Sequence, residues 1–325
     1  MNQLKNSIID NISSDISKNY LESLNKNKSI LIDAFIKYYG KEYEKRITSR
    51  INNTQFSIYL DNSQIMSIKN AFSILKPKIT KENNLYDLNL MTKDYEPNPN
   101  YVKLYGDTYL YDDSNTREAL KESILKRPNV GGFAFEDINN NGETYGKIYI
   151  SFCDILSGDR VLIHEINHVV RNDLLAYDSD NWLITKSGVE ISNQFKTISL
   201  EEIITDYISL EITDIFYSLG GKISLNCIGN TSIYTRLFPL IENFYKKYKE
   251  LLKKAVMSGN LNMLFMQINE EKYEEYIQTI QIELNKAYKK LKDYYPSEET
   301  IKKCNNLVSN MDIINQTNPS YHTHR

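Results

Sequence analysis

Apolar residues recur at helical spacing through most of this chain, and alternation of apolar and polar positions is confined to a short middle stretch. In residues 1–75, segments such as LIDAFIKYYGKEYEKRI place Leu31, Phe35, Tyr38 and Tyr39 on one helical face, so the whole region reads as helical. Pro77 ends it. The following KENNLYDLNLMTKDYEPNPNYVK, with Pro97 and Pro99, reads as a linker or irregular segment. Residues 117–126 (REALKESILK) predict a short helix. GGFAFEDI and ETYGKIYISF then read as two strands, joined by NNNG, whose Asn-Gly pair is a hairpin signal.

A helix is predicted over SGDRVLIHEINHVVRNDLLAY. It opens on Ser, Gly and Asp and carries Val161, Leu162, Ile166, Val169 and Val170 at apolar positions. A second begins near Ser199, SLEEIITDYISLEITDIFYSLGG, and ends on paired glycines that suit a C-cap. Residues 233–315 keep a helical pattern, as in FPLIENFYKKYKELLKKAV, with lysine-rich faces that read as solvated. No repeat of roughly 20–50 residues is visible. The order predicts an α+β fold, mostly helical. It divides into a helical N-terminal region (1–95), a core with a small sheet (96–232), and a helical C-terminal region with a disordered tail (233–325).

Composition narrows the partners. With 39 basic against 42 acidic residues and a net charge of −3, nothing marks a nucleic-acid surface. No stretch is apolar for long enough to span a membrane, and MNQLKNSIIDNISSDISKNY has no continuous apolar run of a signal peptide. Cys153, Cys227 and Cys304 are odd in number and far apart, which argues against a disulfide framework and for a reducing compartment. The expected location is cytoplasmic, or outside the source cell after release or injection without a classical signal.

The candidate chemistry lies in VLIHEINHVV. His164 and His168 stand four residues apart, so on a helix both imidazoles project from one face and reach a single zinc ion at about 2.0–2.1 Å. Glu165, one step round the helix, is placed to contact a metal-bound water without being a ligand. The chain's other histidines, His322 and His324, fall in the tail.

A catalytic zinc needs a third protein ligand and one open position. The extension HExxHxxGxxH would need Gly at position 171 and His at 174, where the chain has Arg171 and Leu174. Cys153 lies at a strand end shortly before His164, with no loop suited to a cysteine ligand around it. The remaining candidate is Glu202, 34 residues after His168, with Asp206 one turn further on the same helix face. Ser199-Leu200-Glu201-Glu202 also fits a capping box, in which Glu202 only ties off the helix. Glu201 is the alternative ligand if the helix phase is off by one, although no acid follows it one turn on.

The pair HEINH (164–168) and Glu202-Ile203-Ile204-Thr205-Asp206 resembles the gluzincin metallopeptidases, which join HExxH to a downstream ExxxD on a second helix. The resemblance covers residues 164–206 of 325. It implies a zincin-like catalytic core, a zinc ion held by His164, His168 and Glu202, and Glu165 as general base. Asp206 would orient a ligating histidine, by resemblance His164, and the substrate would be a peptide or protein. It also implies that an extended substrate pairs with a strand beside the active-site helix, in GGFAFEDI or GKIYISF. An oxyanion-stabilising Tyr or Arg is expected too, with Tyr177, Tyr207, Tyr234 and Arg236 as candidates near in sequence. The competing reading is a non-catalytic interaction scaffold with a vestigial zinc site. Trp182 is expected to pack between the two motif helices or to line a substrate pocket. Asp137-Ile138-Asn139-Asn140-Asn141-Gly142 imitates a calcium loop, but Ile148 stands where a bidentate glutamate belongs, so a hairpin turn is expected there.

Overall fold

The computed structural model describes residues 2–75, 84–106, 114–126, 131–138, 144–171, 173–177, 183–186, 200–228, 234–258, 268, 270–290 and 294–311. They form a mostly helical α+β protein with one four-stranded sheet. The chain divides into two compact units, Met1–Val170 with Ser209–Asn230, and Arg171–Ile208 with Thr231–Arg325.

The first unit opens with α1 (Asn2–Tyr39), whose buried stripe includes Tyr20, Leu24, Leu31 and Phe35. A 3₁₀ turn (Lys41–Tyr43) and α2 (Glu44–Asn52) follow. Then come β1 (Gln55–Asp61), α3 (Asn62–Leu75), α4 (Leu85–Thr92), β2 (Val102–Gly106) and α5 (Ser114–Lys126). The hairpin β3 (Gly132–Ile138) and β4 (Thr144–Ser151) leads into the short α6 (Phe152–Ile155) and then α7 (Arg160–Arg171).

The sheet order is β2-β1-β4-β3. β1 runs parallel to β4 and antiparallel to β2, and β3 is antiparallel to β4 with Gly132 opposite Ile150. Among the described residues β3 is therefore an edge. One face of the sheet packs Tyr59, Leu104 and Tyr149 under Leu120 and Ile124 of α5. The opposite face carries Phe56, Ile58, Ile148 and Ile150, all buried.

The second unit holds the hairpin β5 (Asp173–Tyr177) and β6 (Leu183–Lys186), the start of α8 (Leu200–Ser218), and three further helices. These are α9 (Phe238–Ser258), α10 (Glu270–Lys290) and α11 (Glu298–Ser309). Their core is aromatic: Phe244 stacks on Tyr273 at 5.9 Å and on Tyr276 at 5.0 Å. Lys247 donates to the carbonyls of Val308 and Met311, each at 2.8 Å, which ties α9 to the C-terminal end of α11.

Three sequence expectations need correction. Residues 1–75 are not wholly helical, because QFSIYLD forms β1. Phe56, Ile58 and Leu60 alternate with Gln55, Ser57 and Asp61 along it, and six of its seven residues are buried. The segment expected to be irregular contains α4 and the start of β2. The helix carrying HEINH stops at Arg171, and DLLAY is strand β5. Pro77, the Asn-rich hairpin turn, Trp182, Ser199 and the C-terminal tail lie outside the described residues. Among the described residues no helix is long and apolar enough to cross a membrane.

Candidate metal centre

Helix α7 is held from several sides. Asp159, fully buried, starts it: Ile163 N–H donates to the Asp159 carbonyl at 3.0 Å. The Asp159 carboxylate accepts from the backbone N–H of Ile223 at 3.1 Å and of Ser224 at 2.6 Å. Burial pushes this carboxyl above the usual carboxylate range, against the downward pull of those amides. At the back of the helix Tyr39 O–H donates to Asn167 Oδ1 at 2.5 Å. Near its end Arg46 Nε donates to the Val170 carbonyl at 3.0 Å, a cation placed where the helix dipole favours one.

The sheet supports α7 through two glycines. A Cβ at Gly146 would stand 2.6 Å from Val169 Cγ1. One at Gly132 would stand 2.6 Å from Glu165 Cγ and 2.7 Å from Oε1. Val169 and Glu165 are one turn apart, so both glycines open the surface beneath one helix face. Glu165 is buried there against the backbone of the edge strand.

The two histidines converge. His164 Nε2 and His168 Nε2 are 3.0 Å apart, with the rings inclined at 69°. One donor atom from each of His164, His168 and Glu202 lies within 4.8 Å of the others. Two donors about 2.0–2.1 Å from a tetrahedral zinc sit roughly 3.4 Å apart, and two imidazoles with one carboxylate make a donor set zinc accepts. The three residues thus form a donor set that could hold one metal ion. His164 is buried, whereas His168 and Glu202 are half-buried.

Glu202 lies in the first turns of α8, and Asp206, buried, follows one turn later. In the same stretch Arg171, fully buried, donates from Nη2 to Thr205 Oγ1 at 2.6 Å. Thr205 is one turn from Glu202, so this bond restrains the rotation of the helix that presents the carboxylate. The side chain of Glu201 lies outside the described residues.

The oxyanion candidates are more dispersed. Tyr207 packs its ring against Phe238 at 4.8 Å and Tyr245 at 4.6 Å. Arg236 lies over the ring of Tyr295 at 5.4 Å, and Tyr234 opens the 3₁₀ turn Tyr234–Leu237. Tyr177 ends β5, with its side chain outside the described residues. The thiol of Cys153 donates to the Gln64 carbonyl at 3.7 Å, and burial together with Asp154 holds its pKa far up, so it remains a thiol. It does not belong to the metal-ligating group.

Sequence reasoning missed Gly132, Tyr39, Arg46 and Arg171. Only Gly132 carried a signal, as half of a glycine pair at the mouth of a strand.

Comparison with known proteins adds no family to this geometry: no family model matches the chain, and no curated protein or solved structure matches it.

Proposed function

We propose that this chain is a zinc-dependent metallopeptidase of gluzincin type, with a zincin-like core that cuts peptide bonds. The observation carrying the reading is the convergence of His164, His168 and Glu202 beside a buried Glu165 on the same helix. A site meant only to hold metal in a fold is closed by four protein ligands and has no use for a fifth, basic side chain.

His164, His168 and Glu202 hold the metal, and Asp206 orients His164. A zinc ion bound there supplies a Lewis acid and a water made acidic near neutral pH. Glu165 would hold, at a carboxylate oxygen, the proton given up by the attacking water and pass it to the amine released as the peptide C–N bond breaks. Its burial against Gly132 shields the carboxylate from bulk water and fixes where the proton is held. The N–H and C=O groups on the outer edge of β3 align an extended substrate by strand addition. Of the two strands considered, β3 suits this role, because β4 is paired on both sides.

None of Cys153, Cys227 and Cys304 forms a disulfide, which supports action in a reducing cytoplasm, that of the source cell or of a cell that receives the released protein.

The test combines metal analysis with hydrolysis of a peptide library by wild type and Glu165→Gln. One zinc per chain in both proteins is expected, with chelator-sensitive cleavage by wild type alone. Wild type without stoichiometric zinc overturns the reading. Zinc bound by a wild type that cuts no peptide would favour the scaffold alternative.

A further inference from the structure

We propose that Phe135 forms a subsite for a large apolar side chain of an extended polypeptide lying along β3. The inference rests on the peptidase reading above and gives it a substrate class.

The backbone phase of β3 selects which groups are free. Ser151 N–H donates to the Gly131 carbonyl at 2.8 Å, and Gly132 pairs opposite Ile150. Alternation of the antiparallel ladder therefore turns the N–H and C=O of Gly132 and Ala134 away from β4. Among the described residues no strand pairs with that edge. Those free groups run past Glu165, whose Oε1 would be 2.7 Å from a Cβ at Gly132. An occupant that satisfies them is itself an extended chain.

The side chains of β3 then set what such a chain carries. Gly132 faces Glu165, so Phe133 and Phe135 point to the opposite, aromatic face of the sheet. Leu120 and Ile124 of α5 cover Tyr59 and Tyr149 on that face, whereas Phe135 is left 47% exposed. Its ring is held in place, stacked at 6.4 Å on Phe133 and edge-on at 6.1 Å to Tyr149. A single exposed apolar residue is ordinary. This one shares its strand with the unpaired edge beside the general base. A residue added across from Phe135 would bring its Cβ to about 4.5–5.5 Å, on the same face. An aromatic or large aliphatic side chain there covers the ring, whereas a charged one loses its water without gaining a partner.

The experiment profiles random-sequence short peptides with zinc-loaded wild type, Phe135→Ala and Phe135→Leu. Binding of the same peptides is measured on Glu165→Gln with and without Phe135→Ala. Cleaved peptides should be enriched in Phe, Tyr, Leu, Ile or Met at one fixed distance from the cut. Phe135→Leu should keep the enrichment. Phe135→Ala should lose it and cut the matching peptides roughly 10–100-fold less efficiently in kcat/KM, with zinc content and melting temperature unchanged. Cleavage without the enrichment, or with an enrichment that Phe135→Ala leaves intact, overturns the subsite. Binding with the same preference but no cleavage keeps the subsite and removes the peptidase reading. Peptides neither bound nor cut overturn both.

Discussion

Gly132 and Glu165 meet so closely that a side chain at position 132 would push Glu165 aside: a Cβ there would stand 2.6 Å from Glu165 Cγ and 2.9 Å from Cδ. Contacts under about 3 Å force something to move, and the strand backbone is less free to do so than a glutamate side chain. Gly132→Ala is expected to displace Glu165 while leaving both histidines in place. Zinc stoichiometry should stay at wild-type level and kcat/KM should fall at least ~10-fold, about 1.4 kcal/mol of barrier. An unchanged rate would show that Glu165 works from another rotamer.

Ligation by Glu202 can be tested separately from the capping-box alternative. Glutamine serves at the third position of a capping box as glutamate does, but supplies no anionic ligand. Glu202→Gln should therefore keep the wild-type helix content by circular dichroism. Its zinc affinity, titrated against a competing chelator, should drop by more than about 100-fold, beyond the usual effect of losing an outer-shell partner. Equal affinities would reduce Glu202 to a cap.

Tyr39 and Asn167 tie α1 to the back of the histidine helix, with both side chains buried. Tyr39→Phe removes the donor and leaves the Asn167 oxygen to find another. A loss of about 1–3 kcal/mol in urea unfolding is expected, the cost of a stranded buried acceptor. A neutral result would mean that water reaches Asn167.

Asp159 predicts a pH dependence with a definite sign. Burial, the largest cause, raises its folded pKa above the ordinary value of 3.8, so folding favours the protonated carboxyl. That contribution is full below the unfolded pKa and is lost as pH rises through the raised folded value. Asp159→Asn does not titrate. Relative to wild type, the variant should thus gain stability with rising pH, read by urea unfolding between about pH 3 and pH 6. A difference that is flat, or slopes the other way, would show that the backbone amides of Ile223 and Ser224 outweigh burial.

The sequence made the histidine and carboxylate pairs of the candidate site readable because each pair is local. Four residues of helix put His164 beside His168, and the same interval puts Asp206 after Glu202. The hairpin was readable for a similar reason, since Asn-Gly and alternating residues are short-range signals. β1 carries the alternation, with Phe56, Ile58 and Leu60 between Gln55, Ser57 and Asp61, but over only seven residues flanked by helical spacing on both sides. β5 was hidden because DLLAY extends the apolar spacing of the helix before it, and only tertiary pairing with β6 distinguishes the two. The approach of Gly132 to Glu165 depends on how near a helix lies to a sheet, which no local pattern encodes. The full burial of Arg171 likewise has no mark in the local sequence.

The carboxylate of Asp159 also has a consequence for synthesis. The helix bearing both histidines is anchored at its start to amides 64 and 65 residues downstream. A growing chain presents HEINH well before it has made Ile223 and Ser224, and Glu202 also emerges ahead of them. The order of synthesis is therefore fixed: His164, His168 and Glu202 are all made before the clasp that steadies the histidine helix.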